Sequence, residues 1–174
     1  MPKNLKSSIC EDTIFERVYN TYAQDLHDYL YYKYGAHLNP KDKVQDAFVK
    51  LWDNCKKVPF DKAKSFLFTV ANHMMLNDIK HQKVVFKYNT SYQRYDTQES
   101  PEFILEKQQY LEQYKKALES LTEEQRIAFM LSKVEGKKHS EIAALLGVTQ
   151  KVVEYRIYSA FDKLKTELDY FKIK

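Results

Sequence analysis

Apolar residues recur at helical spacing along almost the whole chain, broken by a few strong stop signals. Ile14, Phe15, Val18, Tyr19, Tyr22, Leu26, Tyr29 and Leu30 form the stripe of one amphipathic helix, which Gly35 ends. Residues before about Asp12 read as a loose polar leader. Asn39, Pro40 and Asp42 then supply a cap, a first-turn proline and a first-turn acid. The helix they open carries Val44, Ala47, Phe48, Leu51, Trp52 and Cys55 on its apolar side. A loop over Lys56–Asp61 leads to a long helix from about Lys62 to Lys83. Leu67, Val70, Ala71 and Met74 define its inner side, and Thr69, Asn72, His73, Leu76 and Lys80 the opposite arc. On that arc His73 reads as an exposed polar residue rather than a ligand or base.

Past a non-periodic stretch over Lys87–Ser100, Pro101 and Glu102 open a further helical pattern through Phe103, Leu105, Tyr110, Leu111 and Leu118. Thr122 sits three residues before Gln125, a capping box. Ile127, Met130, Leu131 and Val134 follow at helical spacing up to Gly136. Ile142, Ala143, Leu145 and Leu146 mark a short helix closed by Gly147, and Thr149 can cap the next one. Two helices joined by a glycine turn form a helix-turn-helix, whose second helix enters the DNA major groove. In that second helix Val153, Ile157, Ala160 and Leu164 point inward. Gln150, Lys151, Glu154, Tyr155 and Tyr158 are left outward, where base edges are read. A plain three-helix bundle with a solvated face has the same spacing.

The predicted fold class is therefore all-α: two small helical domains, residues 1–86 and 111–174, joined by a flexible linker over 87–110. With only 3 glycines and 4 prolines in 174 residues, the composition favours long helices over a turn-rich sheet. The formal charge of +4 permits a polyanionic partner without demanding one. Lys and Arg outnumber Asp and Glu in both domains but not in the connector. Between Asp78 and Asp96 the basic residues Lys80, His81, Lys83, Lys87 and Arg94 alternate with Phe86, Tyr88, Tyr92 and Tyr95. Such a mixture suits a single nucleic-acid strand, and a basic tether fits it equally well. The outer face of the second helix, with Lys43, Gln45, Asp46, Lys50 and Asp53, is either solvated or a docking surface.

Cys10 and Cys55 suggest neither a disulfide framework nor a metal site, and Cys55 reads as a small core residue. The 5 histidines are scattered, so no metal and no cofactor are expected. The chain offers no nucleophile with its base and no Gly-rich phosphate loop, so it is not expected to be an enzyme. No apolar run reaches membrane-spanning length and the N-terminus has no signal-peptide core, which predicts a cytoplasmic protein without membrane insertion.

Taken in order, the pieces resemble the extracytoplasmic-function (ECF) group of sigma factors, in the sigma-70 family. Asp42 to Trp52 (DKVQDAFVKLW) is similar to the family's DxxQExFxxxW helix. Phe66 to Asn72 (FLFTVAN), followed by Asp78-Ile-Lys80, is similar to its WLxxIAxN…DxxR helix. Leu121 to Gln125, Glu135-Gly136, Glu141 to Ala143 and Gly147 to Arg156 resemble its C-terminal helix-turn-helix. The chain departs from the pattern at Lys43, Phe66 and Ser159. The resemblance implies a promoter-directing subunit whose partners are core RNA polymerase and promoter DNA. Family members are often held inactive by an anti-sigma protein, and no residue here marks one. It further implies that Asp42, Gln45, Asp46 and Lys50 face the polymerase. Lys64, Thr69, Asn72, His73, Leu76 and Lys80 would take the −10 strand as it melts. Gln150, Lys151, Glu154, Tyr155, Arg156 and Tyr158 would read the −35 element, with Arg156 and Lys151 on phosphates. A helix-turn-helix regulator that is not a polymerase subunit is the alternative.

Overall fold

A computed structural model of the chain describes residues 8–85 and 101–168. The chain divides into two compact units, residues 1–89 and 90–174. Among the described residues there are helices and turns and no strand, so the all-α expectation holds. The aromatic and basic run from Phe86 to Tyr95, and the linker up to Ser100, lie outside the described residues.

In the first unit α1 spans Asp12–Tyr34 and buries Ile14, Val18, Leu26 and Leu30. Gly35 closes it at φ 91, giving its N–H to the Tyr31 carbonyl. A side chain there would be strained by that φ and would also meet the His37 ring at 2.9 Å. A single 3-10 turn, Ala36–Leu38, leads into α2, Pro40–Asp53. Asn39 does not cap α2 with its side chain, as the sequence suggested. It adopts the left-handed conformation at φ 50, one that Asn tolerates better than other non-glycine residues. Val44, Ala47, Phe48 and Leu51 face inward from α2.

The third helix, α3, spans Ala63–Val85, and its buried stripe is Ala63, Leu67, Ala71 and Met75. That is a strict fourfold spacing, rotated from the expected one; Val70 and Met74 are only half-buried. Two alanines in the stripe remove bulk where α3 packs on α2 and α1. The N-terminal leader is not loose where it is described. Ile9 is 1% exposed and joins the core of this unit. Cys10 and Cys55 form a disulfide with Cα atoms 5.1 Å apart, which the sequence did not suggest, and Cys55 packs half-buried against the core. The two cysteines are separated by 45 positions, and sequence spacing carries no sign of such a pairing.

In the second unit α4 spans Pro101–Ser120, α5 Glu123–Lys133, α6 His139–Leu146 and α7 Gln150–Glu167. The capping box is formed: Thr122 N–H donates to Gln125 Oε1 at 3.1 Å, and Gln125 N–H to Thr122 Oγ1 at 3.3 Å. Gly136 at φ 66 and Gly147 at φ 68 make the two left-handed turns around α6. Thr149 caps α7, its Oγ1 accepting from Val152 N–H at 3.4 Å. Val153, Ile157, Ala160 and Leu164 are all buried, seating α7 on α5 and α6 as its pattern predicts.

Candidate nucleic-acid interface

Because α7 buries that one stripe, its N-terminal half presents a continuous outer face. Gln150, Lys151 and Glu154 are exposed, and Tyr155 and Tyr158 are 72% and 67% exposed. Glu154 Oε1 lies 3.7 Å from His139 Nδ1 at the start of α6, a loose pairing that leaves the carboxylate half in solvent. Arg156 differs from these. Its Nη2 donates to Glu124 Oε2 at 2.6 Å and its side chain is only 16% exposed, so this guanidinium braces α7 against the first turn of α5. Ser159, where the family pattern often has a base, accepts from Gln125 Nε2 at 2.7 Å and ties α7 to the same turn. The departure from the pattern thus has a structural use.

On α3 the expected arc divides. Thr69, His73, Leu76 and Lys80 are exposed. Asn72 is half-buried and both ends of its amide are engaged: Nδ2 donates to the Phe68 carbonyl at 2.8 Å, and Oδ1 accepts from Tyr34 Oη at 2.8 Å. Tyr34, at the end of α1, was not singled out in the sequence, since it lies 38 residues away from its partner. Lys64 is half-buried with Nζ 5.9 Å from the centre of the Phe68 ring. Burial pulls its ammonium below the usual lysine range, partly opposed by the Asp25 carboxylate.

The four α2 positions expected to face the polymerase, Asp42, Gln45, Asp46 and Lys50, are exposed. Lys43, another departure from the pattern, forms an ion pair with Asp78 at 2.8 Å that fastens α2 to the later turns of α3. The α2 face is less polar than expected, because Val49 is 59% and Trp52 41% exposed. Trp52, on the apolar side of its pattern, stays outside the core and makes a T-shaped contact with Phe15 at 5.0 Å, beside exposed Tyr19. Gln45 also borders a groove of about 410 Å³ between α1 and α2, lined in part by Tyr19, Asn20, Gln24 and His27. Among the described residues no cluster of His, Cys, Asp and Glu is placed to hold a metal ion.

The faces described on α2 and α3 fall within residues 18–84, which match the family model for sigma-70 region 2. Residues 111–164, from the second half of α4 through most of α7, match the model for sigma-70 region 4. The RNA polymerase sigma factor YlaC of Bacillus subtilis is 25% identical over 158 residues, covering 88% of this chain and 91% of the relative. The ECF RNA polymerase sigma factor SigX of the same organism is 21% identical over 163 residues, covering 89% and 84%. In fold, the chain is similar to the sigma factor RpoE of Bartonella quintana, solved with the anti-sigma factor NepR. That likeness has a TM-score of 0.52 and 21% identity, over 91% of this chain and 98% of the other. With two of its regions matched in order and relatives spanning nearly its full length, the chain belongs to the sigma-70 family of RNA polymerase sigma factors, in the ECF group.

Proposed function

We propose that the exposed half of α7 reads the −35 element, the outer arc of α3 receives the −10 strand, and α2 docks on core polymerase. The chain is a sigma factor that directs core RNA polymerase to promoters. The observation that carries the residue assignment is the α7 face, where five reading positions are exposed over a fully buried inner stripe. Glu154 can accept from cytosine N4 and Gln150 can pair with adenine, while Lys151 holds a phosphate. On α3, Thr69, His73, Leu76 and Lys80 line the surface a melted strand would meet. An unstacked base costs a few kcal/mol, and a polar and aromatic pocket offsets part of that. Residues 1–86 would act as the polymerase and −10 domain, 87–110 as connector and 111–174 as the −35 domain.

The chain supplies binding and no bond-making of its own, and it works in the cytoplasm, where polymerase and promoter are. Among the described residues no helix is long and apolar enough to cross a membrane. An anti-sigma protein, such as NepR for RpoE, is a partner class to seek by pull-down. Run-off transcription from a linear promoter tests the reading. Core polymerase plus this chain should initiate where core alone does not, and the isolated chain should bind promoter duplex weakly. Tight, sequence-specific binding by the chain alone, without initiation, would establish the regulator reading instead.

A further inference from the structure

We propose that Cys10 and Cys55 form a reversible redox site that sets how firmly the polymerase-facing side of the first unit is held; the effect on docking rests on α2 being the docking helix. Cys10 lies in the turn from Ser8 to Glu11 that precedes α1, next to Ile9, which is buried in the core. Cys55 lies in the turn that closes α2, its N–H bonded to the Trp52 carbonyl at 3.1 Å. The bond therefore joins the entrance of α1 to the exit of α2, beside the ledge made by Phe15 and Trp52. Both cysteines are half-buried, within reach of small oxidants and thiols. A protein that works with polymerase and DNA sits among reducing thiols, and disulfides that form there are characteristically transient and redox-sensing.

The oxidant class is a hydroperoxide. One thiolate attacks the peroxide oxygen and becomes a sulfenic acid as water leaves; the second thiol displaces a second water and the S–S bond forms. Overall two thiols and hydrogen peroxide give one disulfide and two waters. A dithiol protein reverses this by exchange, giving up two electrons and two protons and becoming a disulfide itself. With the bond made, the turn carrying Ile9 is fixed to the end of α2, so the face around Gln45, Val49 and Trp52 is ordered before it meets its partner. Ordering done in advance is not charged against binding. With the bond cut, the turn is held by the burial of Ile9 and by local backbone bonds such as Glu11 N–H to Ser8 carbonyl.

The reduced full-length chain, treated with hydrogen peroxide and then denatured and alkylated, should fall from two reactive thiols to none while remaining a single chain on a non-reducing gel. A thioredoxin-type dithiol should restore both. Oxidised chain should bind core polymerase about fivefold more tightly than reduced chain. Cys10→Ser and Cys55→Ser should each bind like the reduced form whatever the treatment. Thiols that survive peroxide, disulfides that form only between copies, or equal affinity in both states although Gln45→Ala and Asp46→Ala weaken polymerase binding, would overturn the proposal. If Gln45→Ala and Asp46→Ala leave polymerase binding unmoved while the redox effect on it persists, the redox site stands and the assignment of α2 falls.

Discussion

The outer faces of α7 and α3 are built on opposite plans. On α7 the residues proposed to read DNA stand in solvent, with Tyr155 72% exposed and Glu154 paired only loosely at 3.7 Å. On α3 the half-buried Asn72 is already bonded at both ends, to Tyr34 and to Phe68. The two tasks proposed for these faces would account for the contrast. A duplex brings its groove edges to the protein, so side chains that read it need only be presented. A base leaving its stack needs a shaped surface waiting for it, and a shaped surface needs its polar groups fixed beforehand. Tyr34 and Asn72 therefore act as positioning residues on this reading, with Thr69, His73, Leu76 and Lys80 left to make the contacts.

The strongest way to break that contrast is to unseat α3. Leu67 is fully buried between α3 and its neighbours, so Leu67→Ala should cost about 2–5 kcal/mol of stability in the first unit. Chemical denaturation should show it, together with loss of promoter opening in permanganate footprinting. The −35 preference carried by α7 should be unchanged; a shift in both would mean the faces are not independent. Next in size is Glu154→Ala, which should relax base preference within the −35 element by about 1–3 kcal/mol. Selection of promoters by holoenzyme from a randomised pool measures it, and an unaltered profile removes Glu154 from the reading face.

The same contrast accounts for what was legible in the sequence. The α7 face could be read because one stripe, Val153, Ile157, Ala160 and Leu164, is apolar and its surroundings are not. Around α3 the residues Phe66, Leu67, Phe68, Val70, Ala71, Met74, Met75 and Leu76 are apolar on nearly every side. Its inward face is then chosen by its partners, and the stripe turned out to be Ala63, Leu67, Ala71 and Met75. Trp52 shows the same limit: its bulk and spacing suit a core, yet it stays 41% exposed with Phe15 in a T-shaped contact beside it. The disulfide, the Tyr34–Asn72 bond and the Arg156–Glu124 pair join residues 45, 38 and 32 positions apart. No local pattern encodes proximity of that kind.

A smaller substitution sharpens the positioning role. Tyr34→Phe deletes one hydroxyl and leaves the ring, and should cost about 0.5–1.5 kcal/mol of stability. Opening of the promoter should slow while pull-down of core polymerase is retained. Asn72→Ala should act in the same direction with a larger defect, because it empties both bonds. If Tyr34→Phe opens promoters at the wild-type rate while Asn72→Ala does not, the amide contacts the strand directly and the tyrosine is only packing.

The smallest effect separates Arg156 from Lys151, two cations on one helix that sequence alone assigned to the same job. Lys151 is exposed at the start of α7, whereas the Arg156 side chain is 16% exposed and bonded to Glu124. Each phosphate neutralised releases counterions, so log affinity falls with log salt by about 0.9 per contact. Lys151→Ala in holoenzyme should therefore flatten the salt dependence of promoter binding by about one such increment. Arg156→Ala should leave that slope nearly unchanged and instead lower the stability of the second unit by about 1 kcal/mol or less, since Glu124 is 66% exposed and water screens the pair. Glu124→Ala should reproduce the stability loss without touching the slope. A flattened slope in Arg156→Ala, with Glu124→Ala silent, would return Arg156 to the phosphates and make its bond to Glu124 a resting position that DNA displaces.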